Sequence, residues 1–197
     1  MTDFLRIRVR PLAALTALAL AACASPHLEP RSAAVAPTPY AGQQTRDVKA
    51  LSADEQADLL AGRGMGLAKA AELNGYPGPL HVLELARELG LESDQRARTE
   101  ALFASMQREA SALGARLLDE ERALDALFAT RQVDASRLAE ATKRIGALQA
   151  ELRRVHLDAH LAQTRILTAA QTARYVELRG YGTAGSGGAH GGHRHRH

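Results

Sequence analysis

The apolar positions of this chain follow a helical period along two long stretches. In each stretch they recur at alternating spacings of three and four residues, which places them on one face of a helix. Two such patterns joined by the short turn at 132–134 predict an antiparallel helical hairpin, with arms of roughly 50 Å each. The first series is Phe103, Met106, Ala110, Leu113, Leu117, Glu120, Leu124 and Leu127, and the second is Leu138, Ala141, Ile145, Leu148, Leu152, Val155, Ala159, Ala162 and Ile166.

Shorter helices are predicted on both sides of the hairpin, and no stretch has the alternating pattern of a strand. Helix starts are indicated by Ser52 with Glu55 and by Thr168 with Gln171, since both pairs have capping-box spacing. We therefore expect helices at about 51–61, 67–73, 80–89 and 168–179, with glycines or prolines between the first three. The predicted fold class is all-α, a long antiparallel helical hairpin with shorter flanking helices. We interpret Glu120, the charged position of the first series, as the point where the hairpin opens to solvent.

The first 23 residues are typical of an export signal. Three arginines precede an apolar run from 12 to 22, and this run ends directly before Cys23. Because Cys23 follows Leu-Ala-Ala, the segment resembles a bacterial lipoprotein signal, in which the cysteine is lipidated and becomes the mature N-terminus. Ala24 resembles the sorting pattern for the outer membrane. The alternative is an ordinary signal peptide cleaved near Ala24. Either way, we expect a periplasmic protein, anchored to the membrane if Cys23 is lipidated.

Composition divides the rest of the chain into three parts. Residues 24–50 contain four prolines and no periodic pattern, which favours a tether; residues 51–181 form the predicted hairpin domain; residues 182–197 are a tail rich in glycine and histidine. Removal of residues 1–23 lowers the formal net charge from +3 to +1, so no nucleic-acid partner is indicated. Cys23 is the sole cysteine, and the mature chain would therefore have no disulfide.

Two groups of histidines are candidate metal ligands. His156 and His160 lie one helical turn apart, about 6 Å, a spacing that suits Zn²⁺, Ni²⁺, Co²⁺ or Cu²⁺. We expect them at the edge of the hairpin, with His81, Glu84 or a second protomer completing the site; the alternative is a pair of half-exposed polar residues beside the core. The second group lies in the tail, where incidental low complexity is the alternative: His190, His193, His195 and His197.

The segment Leu167-Thr168-Ala169-Ala170-Gln171 carries a family resemblance. Leu167, Thr168 and Gln171 match the Leu-Thr-x-x-Gln signature of the Spy/CpxP-type periplasmic proteins, which include the metal-responsive ZraP and CnrX branches. An earlier segment, 91–95, looks like a second copy in which Glu92 replaces the threonine, and there we expect Ser93 to cap the helix instead. The resemblance implies an all-helical hooked hairpin, often dimeric, that works without ATP. Its members bind unfolded clients, damp a stress-sensing kinase or bind divalent metals.

The sequence contains no catalytic constellation, so we do not expect an enzyme. We predict a lipid-anchored periplasmic protein that binds divalent heavy metals, in metal sensing or resistance or in the envelope stress response. The alternatives are an ATP-independent chaperone for unfolded periplasmic proteins, or a regulatory adaptor of a membrane sensor kinase or anti-sigma factor. Apolar residues beside the two series widen the hydrophobic stripe and favour a homodimer: Leu102, Leu118, Phe128 and Leu161.

Overall fold

The structure, a computed structural model, describes residues 38–181, and this part of the chain is helical without any strand. A 3-10 turn at Gln43–Thr45 precedes the helices, which are α1 Ala53–Leu60, α2 Lys69–Glu72, α3 Pro79–Glu84, α4 Ser93–Ala129, α5 Ala135–Ile166 and α6 Ala169–Leu178. The predicted all-α fold class is therefore confirmed. The signal peptide with Cys23, most of the tether, and the tail histidines lie outside the described residues.

Helices α4 and α5 form the predicted antiparallel hairpin. Contacts across it pair Thr99 with Gln163 near one end and Glu120 with Arg144 farther along, so the two helices run in opposite directions. The 37 residues of α4 give it a length of about 55 Å. At the turn, Asp134 caps α5 by accepting a hydrogen bond from the Arg137 N–H at 2.8 Å. Glu120 is partly exposed and binds Arg144 across the hairpin.

The main hydrophobic core runs along the middle of the hairpin. Both predicted apolar series contribute to it, and Leu118, which the sequence places beside its series, is only 1% exposed. Leu59 of α1 packs into the same core. Buried residues of the two long helices in this core are Ala110, Leu117, Leu118, Ile145, Leu148, Leu152 and Val155.

The chain just before α1 also packs against the hairpin. Val48 is completely buried in the main core, and the Lys49 N–H donates to Asp125 of α4 at 2.8 Å. Asp47 forms an ion pair with Arg122 of the same helix. Residues 47–49 thus belong to the packed structure, although their composition groups them with the tether. A single buried valine in a polar stretch produces no periodic pattern.

Helix α1 approaches α4 closely at Gly114. A Cβ atom at that position would lie 2.3 Å from the backbone oxygen of Leu59, so only glycine allows this separation. Side chains of α4 also bind the last carbonyls of α1. Ser111 donates to the carbonyl of Leu60, and Gln107 donates to that of Ala61. These bonds satisfy carbonyl groups that a helix end leaves unpaired.

The two copies of the Leu-x-x-x-Gln pattern both cap helices. Thr168 accepts from the Gln171 N–H at 3.2 Å, and the Thr168 N–H donates to Gln171 Oε1 at 2.9 Å, which completes the predicted capping box. In the earlier copy, Glu92 itself is the N-cap and its N–H donates to Gln95. The expectation that Ser93 caps α4 is wrong, because Glu92 has the extended backbone of a cap and Ser93 is already helical.

The two glutamines bind each other. Gln95 Nε2 donates to Gln171 Oε1 at 2.8 Å, and Gln171 Nε2 donates to Gln95 Oε1 at 2.9 Å. Gln95 also donates to the carbonyl of Ile166, the last residue of α5. This amide pair fixes the start of α4 to the junction of α5 and α6. We call this end of the hairpin, residues 93–106 and 155–166, its base, and the opposite end, residues 120–145, its tip.

A second, smaller core covers the base. It is formed by α3, α6 and the segments that join them to the hairpin, and Tyr175 of α6 at its centre is completely buried. Its buried residues are Val82, Leu89, Leu167 and Tyr175. None of the helices within residues 38–181 combines the length and the apolar character needed to cross a membrane.

Candidate metal centre

His156 and His160 lie on α5 at the base of the hairpin, and both are buried. Their exposed fractions are 3% and 8%. The alternative that they are half-exposed polar residues beside the core is therefore wrong. The reason is tertiary: α2 and α3 pack on α5, and the backbone before each of them passes over an imidazole ring, with Gly64 beside His156 and Gly78 beside His160.

A cavity of about 350 Å³ lies between the histidines and the segment that covers them. His81 lines the same cavity, so the structure brings together the three helix-borne histidines that the sequence singles out. Glu84 does not line this cavity. Its carboxylate instead accepts a hydrogen bond from His81 Nδ1 at 2.8 Å. Further lining residues include Asp58, Met65, Phe103 and Met106.

The contacts of His160 determine which of its nitrogens can bind a metal. Nδ1 lies 2.8 Å from the carbonyl oxygen of Tyr76. A carbonyl only accepts hydrogen bonds, so Nδ1 carries the proton and, in the neutral ring, Nε2 keeps the lone pair. A Cβ atom at Gly78 would lie 3.1 Å from this Nε2. Glycine at 78 therefore lets the backbone pass this close to the His160 ring, which a side chain at that position would press on.

His156 has a ring nitrogen that is unpaired within residues 38–181 and can bind a metal ion. Its Nε2 is buried and has no hydrogen-bond partner within residues 38–181. Burial lowers the pKa of His156 below its ordinary value, and the neighbouring His160 lowers it further. The ring is therefore neutral at neutral pH, and the neutral imidazole is the form that binds metal ions. A buried polar atom without a partner is costly, which suggests that this nitrogen is kept for a ligand.

A buried carboxylate lies behind His160. Glu72 Oε2 is 3.7 Å from His160 Nδ1 and has no hydrogen-bond partner within the described residues. Its other oxygen accepts from the Tyr175 hydroxyl at 2.6 Å and from Arg179 Nε at 3.1 Å. The pKa of the Tyr175 hydroxyl is raised, first by burial and then by its bond to Glu72. The hydrogen bond that orients the His160 ring is therefore the one to the Tyr76 carbonyl, and Glu72 lies beside it at ion-pair distance.

Nothing in the sequence singles out Glu72 as a neighbour of His160. It is one acidic residue in a four-residue helix, α2, and it matches no motif. Its contacts join three separated parts of the chain, which only the tertiary structure brings together. Gly78 likewise lies in a stretch with glycines and prolines between two helices, and no local pattern marks it as a neighbour of His160.

The described residues do not form a complete coordination site. Across residues 38–181, no three His, Cys, Asp or Glu side chains converge closely enough to hold a metal ion. The donor set fits a borderline divalent ion in kind, since it consists of imidazole nitrogens that line one cavity, but at least one further ligand is needed. Cys23 and the four tail histidines are not among the residues placed by the structure.

A family model for heavy-metal resistance matches residues 59–174, which is more than half of the chain. The chain belongs to the heavy-metal resistance family. The matched range contains α2 to α5, all three cavity histidines and the capping box at Thr168. No curated protein and no solved structure shows significant similarity to the chain.

Membership confirms the family prediction that the sequence analysis makes from the Leu-Thr-x-x-Gln signature. It also gives the broad function, since the family suggests a role in heavy-metal resistance or sensing. The cavity histidines are the described residues whose chemistry suits such a role.

Proposed function

We propose that this member of the heavy-metal resistance family is a periplasmic protein, anchored by lipidated Cys23, that binds a divalent heavy metal with His156 and His160. The observation that carries the proposal is the buried Nε2 of His156, unpaired within residues 38–181, beside a His160 ring whose Nδ1 is bound to Tyr76. Two imidazoles one turn apart on a helix are donors for Zn²⁺, Ni²⁺, Co²⁺ or Cu²⁺. Binding would serve metal sensing or resistance in the envelope.

The anchor and the location rest on the sequence before residue 24. The basic start, the apolar run and Cys23 support export and lipidation. Labelling cells with a radioactive fatty acid tests this directly: the wild-type chain should incorporate label, and the Cys23→Ala chain should not. Label in both chains, or in neither, would contradict the anchor while leaving metal binding open.

Calorimetric titration of the chain truncated after Tyr181 tests the helix site without the tail histidines. We expect the His156→Gln/His160→Gln variant to lose the binding of Zn²⁺, Ni²⁺, Co²⁺ and Cu²⁺ that the truncated chain shows. Arg153→Gln is the matched control, because Arg153 is exposed on the same helix. Binding that survives the double substitution, in a variant whose circular dichroism is unchanged, would contradict the proposal.

A second candidate function, binding of unfolded clients, is favoured by exposed apolar side chains between residues 60 and 80. Leu60, Leu73 and Leu80 are 52%, 60% and 44% exposed, so their apolar side chains are available for contact with an unfolded client. If clients bind here, the chain should suppress aggregation of a denatured protein equally well with and without a chelator. Leu73→Ser should weaken that effect. Suppression that requires metal would favour the metal-dependent function instead.

A further inference from the structure

The cavity beside His156 is lined by methionines as well as by histidines. The sequence has three methionines, and two of them, Met65 and Met106, lie within residues 38–181. Both line this cavity, and so does every histidine of residues 38–181. Met65 precedes α2 and Met106 lies in α4, so tertiary packing brings the two thioethers to the same cavity. Thioether sulfur and imidazole nitrogen are both ligands for soft and borderline metal ions.

Packing does not explain the methionine at position 65. Its side chain is 41% exposed, so it does not fill a gap in a core. Its φ of 45° lies in the left-handed region, which favours glycine over methionine. A Cβ atom at the preceding Gly64 would lie 3.9 Å from His156 Nδ1, so the backbone that carries Met65 passes beside this ring. A strained backbone next to the cavity thus holds a long sulfur-containing side chain there, which suggests a functional role.

Met106 is placed by the hairpin. It is partly buried and packs against the main core, which includes Val155, the neighbour of His156 in sequence. It also lines the cavity, as does Phe103 one turn earlier on α4. One thioether is therefore carried by a long helix, and the other by the segment that covers the histidines.

The carboxylate of the cavity is already paired. Asp58 is the sole acidic side chain among the described residues that line it, and Arg63 forms an ion pair with that carboxylate. His81 Nδ1 is paired with Glu84. Because hard divalent ions prefer oxygen ligands, this cavity favours a softer ion, for which sulfur is the better ligand.

We propose that Met65 and Met106 bind a soft monovalent ion, Cu⁺, together with His156 in this cavity. The inference rests on the proposed function, because it uses the same cavity and the same histidine, and it adds a second class of ion with its sulfur ligands. Thioethers select Cu⁺ among the biological metals. The buried Nε2 of His156, unpaired within residues 38–181, supplies the nitrogen ligand. Cu⁺ also accepts fewer ligands than Zn²⁺ does, which suits a cavity where no three His, Cys, Asp or Glu side chains of residues 38–181 converge.

Methyl NMR of the full chain in detergent, labelled with ¹³C at the methionine methyl groups, tests the proposal. Ag⁺ is the first probe, because it is stable in air and prefers the same ligands as Cu⁺. We expect the signals of Met65 and Met106 to shift together along one binding curve. Cu⁺ added without oxygen should shift both in the same way, and Zn²⁺ should shift them less, because it bonds to the nitrogen and not to the sulfur.

Single substitutions show whether the two methionines share one ion. Met65→Leu conserves volume and removes one sulfur atom, so the fold should tolerate it. It should raise the Ag⁺ concentration that half-shifts the Met106 signal at least about tenfold, since even outer-shell partners of a metal change its affinity by about 10–100-fold. Its affinity for Zn²⁺ should stay unchanged. Phe103→Leu, which alters a lining residue without sulfur, is the matched control and should leave both affinities unchanged.

Each contrary result overturns a different statement. Methyl signals that stay in place at saturating Ag⁺ and Cu⁺ would overturn the thioether ligands and leave the proposed divalent function intact. Separate binding curves for the two signals would overturn the shared ion. Equal weakening of Ag⁺ and Zn²⁺ binding by Met65→Leu would mean that this side chain maintains the cavity and does not bind the ion. A chain truncated after Tyr181 that binds no divalent ion, although Ag⁺ shifts both signals, would overturn the proposed function and keep the thioether site.

Discussion

The base and the tip of the hairpin are built from different kinds of contact. All five buried polar residues of the described chain lie at the base: Gln95, Thr99, His156, His160 and Gln163. At the tip, Phe128 is 55% exposed and Leu138 is 37% exposed, and polar contacts there, such as Arg137 with Asp134, are exposed ion pairs.

The tip therefore contributes mainly to the stability of the fold, whereas the base carries the side chains that can bind a ligand. Exposed ion pairs contribute about 0–1 kcal/mol each, so the tip depends on its apolar seam. The base buries groups whose desolvation is costly, and apolar residues of similar size would pack there at least as well. Function is therefore the better explanation for the histidines at the base than stability is.

The largest expected effect comes from Tyr175 in the second core. Tyr175→Ala should reduce the free energy of unfolding by about 3–5 kcal/mol, because it removes a fully buried ring and the hydroxyl that binds Glu72. Phe128→Ala at the tip should cost less than about 1 kcal/mol, because that ring is mostly exposed. Urea unfolding followed by circular dichroism measures both. Equal losses of unfolding free energy would mean that the base and the tip do not differ in how deeply their aromatic rings are buried.

Breaking the hydrogen-bonded pair of Gln95 and Gln171 tests how strongly it fixes the start of α4 to the junction of α5 and α6. Gln95→Ala and Gln171→Ala should each cost about 1–3 kcal/mol, because each removes both hydrogen bonds between the two amides and leaves the remaining amide with only part of its partners. The double variant should cost less than the sum of the two, with a coupling of about 0.5–3 kcal/mol. Additive losses in the same unfolding experiment would show that the two glutamines act independently.

The close approach of α1 to α4 can be compared with an open position on α5. Gly114→Ala should destabilise by about 1–3 kcal/mol, because its Cβ atom would meet the backbone of Leu59. Gly146→Ala should stabilise by about 0.5–1 kcal/mol, because nothing lies within 4 Å of a Cβ there and alanine favours a helix. Thermal unfolding should give shifts of opposite sign. Shifts of the same sign would contradict the close approach.

The smallest expected effect is the pH dependence that the base adds to stability. Because the pKa of His156 is lowered in the folded chain, the unfolded chain binds more protons below the ordinary value of 6.5. The contribution of neutral His156 is thus complete above pH 6.5 and is lost as the pH falls toward the lowered pKa. Metal-free wild type should lose more stability between pH 7.5 and 5.5 than His156→Gln does. Identical pH profiles would contradict the burial of this ring.

The sequence predicts the hairpin well because the signal is periodic and local. The two apolar series, the Asp134 cap and the Thr168–Gln171 box each depend on residues within one turn or one helix, and all are present in the structure. The Glu92 cap was missed because a glutamate seldom takes that position. The periodic spacing of apolar residues thus identifies the helices, and the capping residues at their ends locate the boundaries.

The site could be predicted only in part. The spacing of His156 and His160 identifies them as a pair, but their burial depends on where α2 and α3 cross α5. Glu72, Tyr175 and Arg179 meet across about a hundred residues of chain, and no local pattern encodes that contact. The burial of the two histidines and the contacts of Glu72 therefore result from long-range packing, which a local sequence pattern does not reveal.

The most direct test of the account is nitrogen NMR of the histidine rings in the ¹⁵N-labelled full chain, titrated with Zn²⁺. The account predicts that Nε2 of His156 and Nε2 of His160 shift together and saturate at one ion per chain, while Nδ1 of His160 keeps its proton. Saturation of the tail histidines with His156 and His160 unchanged would contradict it.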